Sequence, residues 1–118
     1  MKCKSIEAFV PSGSNFLKSQ ELFLELGFTI NWETNDLVGF GKSGSKFILQ
    51  KYGAKGFAEN IIMSVTVDNL DKFWQKVFEL NLPEKFGVKL NPPKDFPSLR
   101  EVNLIDIAGV CWHFAENE

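Results

Sequence analysis

Apolar side chains recur along this chain at helical and at strand spacings. Leu70, Phe73, Trp74, Val77 and Phe78 fall at i, i+3, i+4, i+7 and i+8, the stripe of an amphipathic helix. Asp68 or Asn69 can cap its start and Pro83 closes it. A second stripe, with Phe16, Phe23 and Leu26, predicts a helix that starts near Ser14 or Asn15 and stops at Gly27, which accepts the left-handed conformation beyond the last turn. The two stretches read as one unit written twice. Asn15 to Phe28 (NFLKSQELFLELGF) aligns without a gap to Asn69 to Leu82 (NLDKFWQKVFELNL), 54 positions later. Asn15/Asn69, Lys18/Lys72, Glu25/Glu79 and Leu26/Leu80 are identical pairs, and each copy follows a strand-like run, Ile6 to Val10 and Ile61 to Val67.

Period-2 runs between turn residues predict the remaining strands. In the first half these are Thr29 to Glu33, Leu37 to Gly41 and Ser45 to Lys51, separated by Thr34-Asn35-Asp36 and Ser43-Gly44. In the second half they are Phe86 to Leu90, then Arg100 to Asp106 and Val110 to Glu116 as a hairpin about Ala108-Gly109. Asn91 to Ser98, with Pro92, Pro93 and Pro97, reads as a stiff surface loop. The order strand, helix, three strands therefore occurs twice. This predicts an α+β fold of two βαβββ modules, with curved mixed sheets around a cleft and helices on the outside. The whole chain, 1–118, reads as one domain: module one 4–52, connector 53–60 and module two 61–117. The connector, with Tyr52 and Phe57 among glycines, can fold over the cleft.

Composition narrows the function classes. With 44% hydrophobic and 24% charged residues in 118 positions, the chain can bury a core of its own. Twelve Phe and three Trp supply much of that area, and part of it can line a pocket. A net charge of −2 without a basic face argues against nucleic acid. The chain shows no signal-peptide core and no apolar run long enough to cross a bilayer, so the expectation is a cytoplasmic protein with no membrane partner. Cys3 and Cys111 have neither CxxC nor Cys/His ligand spacing, and reduced thiols are expected. The glycines around Ser43 do not make a Walker-type phosphate loop, since no helix start follows them.

Arg100-Glu101, Leu104-Ile105-Asp106 and Gly109 followed by Cys111-Trp112-His113-Phe114-Ala115-Glu116 resemble the last hairpin of the vicinal oxygen chelate superfamily, the glyoxalase, bleomycin-resistance and extradiol dioxygenase group. Phe9-Val10-Pro11, Ser19, Phe23 and Leu26-Gly27-Phe28 are similar to that family's first strand and helix. In its metal-using members the resemblance implies ligands near Glu7 and at Ile48, Ile62 and His113. Two of these are isoleucines, which donate nothing to a cation that needs at least three oxygen or nitrogen donors. Neither a metal nor any other cofactor is expected.

Strand alternation assigns the faces. If His113 faces the cleft, Cys111 and Ala115 join it, while Trp112 and Phe114 point to the helix side. Glu101, Asn103 and Ile105 fall to the cleft, as do Lys46, Ile48 and Gln50, and Ile62, Ser64 and Thr66. With Phe9, Trp32 and Phe40 added, and Glu7 able to meet a cationic group, the expected wall combines apolar area with a few hydrogen-bonding groups, the makeup of a small-molecule pocket. His113, the single histidine, is the best catalytic candidate, with Glu101 to orient it; a histidine hydrogen-bonded within the barrel is the plainer role. Cys111 reads as a buried structural thiol rather than a nucleophile.

These readings favour a small-molecule binding protein resembling the bleomycin-resistance branch, holding a partly aromatic or amphipathic ligand without metal. The resemblance also implies a homodimer with modules paired between chains. The alternative is a glyoxalase-like or dioxygenase-like lyase or isomerase that uses His113 as acid/base or metal ligand. A third reading, an accessory module docking on another protein, predicts an exposed apolar patch instead of a cavity.

Overall fold

The structure is a computed structural model that describes residues 1–53 and 55–117. Ala54 of the connector and Glu118 at the end of the expected domain lie outside the described residues. The elements run β1 (Phe9–Pro11), α1 (Phe16–Glu25), β2 (Thr29–Glu33), β3 (Leu37–Lys42), β4 (Ser45–Gln50), α2 (Lys55–Ala58), β5 (Ile62–Thr66), α3 (Leu70–Glu79), α4 (Leu82–Phe86), β6 (Lys89–Asp95), β7 (Leu99–Ile105) and β8 (Cys111–Asn117). They form two four-stranded mixed sheets, ordered β1-β4-β3-β2 and β5-β8-β7-β6, with one parallel pair in each. The α+β class and the twofold βαβββ order both hold. None of the described helices is long and apolar enough to cross a membrane.

The internal repeat reaches atomic detail. α1 and α3 each span 10 residues, and the side chains of Asn15 and Asn69 accept from the backbone N–H groups of Lys18 and Lys72 at 3.0 Å. Each cap satisfies one of the amides left free at a helix start. Past the two helix ends, Gly27 (φ 100) and Asn81 (φ 55), again 54 positions apart, both turn left-handed. Glu116 of β8 adds a second cap to α3, accepting from the Leu70 N–H at 2.8 Å.

The copies diverge beyond that point. Pro83 does not close α3. It opens α4, where a proline in the first turn lacks only an N–H that would be unpaired anyway. Phe86 belongs to α4 and is buried, so the strand expected from it begins later, at Lys89. The expected proline loop is mostly β6, the edge strand of its sheet, with Pro92 and Pro93 inside a register shift between Asn91 and Lys94. An edge strand bulged at its prolines loses few ladder bonds. The first strand is also shorter than its pattern, since Ile6 stands outside the sheet with nothing packed on it.

One aromatic core joins the halves. Trp112 of β8 enters the first module, with ring centroids 5.2 Å from Phe23, 5.1 Å from Phe47 and 6.3 Å from Phe28. Phe73 of α3 stacks on Phe114 at 4.4 Å. The helix-side faces of both sheets thus carry the core, with Phe47, Leu49, Val102, Leu104, Trp112 and Phe114 buried and Val65 half-buried. Asp106 secures the last hairpin. Its Oδ1 accepts from the N–H groups of Ala108, Gly109 and Val110 at 3.0, 3.1 and 2.9 Å, and its Oδ2 from the Trp112 indole at 2.9 Å.

Candidate functional site

On the first sheet, cross-strand pairing builds the cleft-side face as a row. Phe9 pairs with Ile48, Ile48 with Gly39 and Gly39 with Trp32, so one residue from each of four strands shares that face. Phe9 remains 51% and Trp32 41% exposed, although the reverse of the sheet is closed. A register shift between Ile30 and Trp32 interrupts the regular pairing of β2 with β3. It turns Trp32 over Gly39, where a Cβ would collide with the indole. It also lays Asn31 across Gly41, 2.6 Å from where a Cβ would stand, adding a side-chain amide to the face. Sequence reasoning missed Asn31 because a bulge leaves no periodic trace; the glycines at 39 and 41 were its one signal.

Phe40 has to be corrected. It was expected at the cleft, but it pairs with Phe47 and is fully buried, with its ring 5.7 Å from Phe23 and 5.4 Å from Phe47. Parity decides this: Gly39 and Gly41 occupy the cleft positions of β3, which leaves Phe40 and Val38 for the core. Glu7 lies ahead of β1, outside the sheet, and accepts a hydrogen bond from Ser5 at 2.8 Å. Gln50 pairs with Pro11 and Leu37 at the far end of the same face.

On the second sheet the corresponding row is polar: Ser64 pairs with His113, His113 with Asn103 and Asn103 with Asn91. Beside it run Ile62, Cys111 and Ile105, with Ile62 64% exposed. His113 Nδ1 stands 3.6 Å from Glu101 Oε2, close enough for an ion pair if the ring is protonated. Asn103 Oδ1 is buried and finds no donor among the described residues. A buried acceptor left unpaired costs about 1–3 kcal/mol.

Cys111 has the chemistry of an inert thiol. Burial pushes its pKa up, and the negative charges of Glu101 and Asp106 push it further, so the thiolate a nucleophile requires is disfavoured. The positions implied for a metal do not fit one. Ile48 and Ile62 present hydrocarbon, Glu7 is off the sheet, and among the described residues no three His, Cys, Asp or Glu side chains converge.

No family model matches the sequence, and no curated protein matches it. Among solved structures, a bleomycin-binding protein complexed with bleomycin superposes with a TM-score of 0.82 at 15% identity, over 97% of this chain and 98% of that one. An antibiotic-binding protein from a Streptomyces strain gives 0.78 at 16% identity, over 100% and 99% of the two chains. Lactoylglutathione lyase from Agrobacterium tumefaciens gives 0.73 at 12% identity, over 98% and 95%. At these identities the likeness is one of architecture: the chain has the paired-module fold of the bleomycin-binding protein, the antibiotic-binding protein and the lyase.

Proposed function

We propose that the protein binds a small, partly aromatic molecule on its cleft-side faces and sequesters it without metal. The observation that carries this reading is the open row Phe9, Ile48, Gly39 and Trp32. It offers apolar and aromatic surface to solvent although the chain has filled its core from the other side of the same sheet. The polar row Ser64, His113, Asn103 supplies orienting groups. The structural likeness to proteins that bind bleomycin and other antibiotics supports a ligand of that chemical kind. A second copy of the chain is proposed to complete the cleft, because the described residues leave Phe9, Trp32 and Ile62 exposed on its two faces. The unpaired cysteines agree with a proposed cytoplasmic setting.

A thermal-shift screen of aromatic amphiphiles, bleomycin included, tests the reading, since a ligand that binds only the folded state raises Tm. A hit should be lost in Trp32→Ala, whose own Tm should stay close to that of the wild type because Trp32 is half-exposed. Retention of the full shift in Trp32→Ala would remove the proposed site.

The contact of His113 with Glu101 favours one alternative, acid/base catalysis or metal ligation by His113 in a lyase or isomerase. Metal analysis of chelator-free protein and of His113→Ala separates the two readings. Stoichiometric metal lost with the imidazole would establish the alternative.

A further inference from the structure

A second hollow lies away from the cleft faces, on the helix side where the modules meet. It encloses about 580 Å³, within the range of small-molecule sites. Its apolar floor comes from both modules: Leu26 and Phe28 from the first, and Val65, Val67, Phe73 and Phe114 from the second. Leu26, Phe28 and Phe114 are closed into the core, whereas Val65, Val67 and Phe73 are half-buried and keep surface toward the hollow.

Its rim is cationic. Lys42 at the end of β3 and Lys72 and Lys76 on α3 line it. A Cβ at Gly27 would lie 2.8 Å from Lys42 Nζ and 3.1 Å from Lys76 Nζ, so the two ammonium groups converge on one point from different modules. Like charges that close repel, and the usual remedy is a carboxylate between them. None is there: no ion pair among the described residues involves Lys42, Lys72 or Lys76. Asp68, the only carboxylate among the described lining residues, pairs with none of the three. Lys42 does reach the Gly27 carbonyl at 3.5 Å, just past the end of α1. A helix terminus carries only about half a negative charge, which accounts for one lysine and not for three.

We propose that this inter-module hollow binds an amphipathic organic anion, with an apolar body on the Val67 and Phe73 floor and a carboxylate between Lys42 and Lys76, Lys72 adding to the field. The site is separate from the cleft-side faces and does not depend on the ligand proposed for them.

The test is calorimetric titration of the full chain with three probes: decanoate, decanol (the body without the charge) and acetate (the charge without the body). Decanoate should bind at least tenfold more tightly than either of the others. The double variant Lys42→Ala/Lys76→Ala should weaken decanoate at least tenfold with Tm unchanged, since both side chains are exposed. Trp32→Ala should bind decanoate as the wild type does. Equal affinity of the double variant and the wild type, equal binding of decanol and decanoate, or no decanoate binding would each overturn the proposal. Loss of decanoate binding in Trp32→Ala would also overturn it, by moving the site to the cleft face.

Discussion

Two residues illustrate how environment, not residue type, sets chemistry here. Asp106 is buried, and the cost of desolvating its carboxylate outweighs the four hydrogen bonds it accepts, so its pKa rises above the ordinary 3.8. A group with a raised folded-state pKa contributes stability that is complete below its unfolded pKa and is lost as pH rises through the folded value. Lowering the pH from neutrality toward 4 should therefore stabilise the wild type relative to Asp106→Asn, as read from urea midpoints at each pH. At pH 7 the same variant should lose about 1–3 kcal/mol, because an amide nitrogen would replace the acceptor that the Trp112 indole requires. A destabilisation that is absent at every pH would show that Asp106 does not hold the hairpin. For Cys111 the raised pKa predicts slow alkylation: at pH 8 iodoacetamide should modify exposed Cys3 at least ~10-fold faster, as peptide mass mapping would show. Equal rates would contradict the burial and charge assigned to Cys111.

At the scale of elements, the twin helices were legible because a cap, an apolar stripe and a stop signal all lie within one local stretch. Asn15→Ala and Asn69→Ala should each cost about 1 kcal/mol in chemical denaturation, and the double variant should lose close to the sum, since the caps sit in different modules. A markedly smaller loss at Asn69 would mean that Glu116 suffices to cap α3. Strand parity was equally legible across β4, β5, β7 and β8, where Phe47 and Leu49, Met63 and Val65, Val102 and Leu104, and Trp112 and Phe114 mark the helix-side face at every second position. In β3 the expectation for Phe40 was wrong, because Gly39 and Gly41 hold the cleft positions and leave Phe40 to the core, while Trp32 of β2 stands on the cleft side as expected. Prolines misled twice for one reason: their local effect depends on whether the position needs an N–H, which is decided by a helix start at Pro83 and an edge bulge at Pro92 and Pro93.

At the scale of the molecule, the halves meet through an aromatic core and leave their cleft-side faces open. Phe40→Ala should cost about 3–5 kcal/mol, the loss expected for a fully buried phenylalanine, with a matching fall in the denaturation midpoint. If the exposed row of Phe9 and Trp32 is completed by a second copy, sedimentation at micromolar concentration should give the mass of two chains. A monomer would leave the cleft without an opposite wall. The duplication, the helices with their caps and most strand faces could be read from residue order, since each depends on neighbours within a few positions. That Asn31 lies across Gly41, that Trp112 bridges the modules and that Lys42 and Lys76 converge over Gly27 could not. The first follows from a bulge that leaves no periodic trace. The other two join residues remote in the chain, and they exist only once both modules pack on a common core.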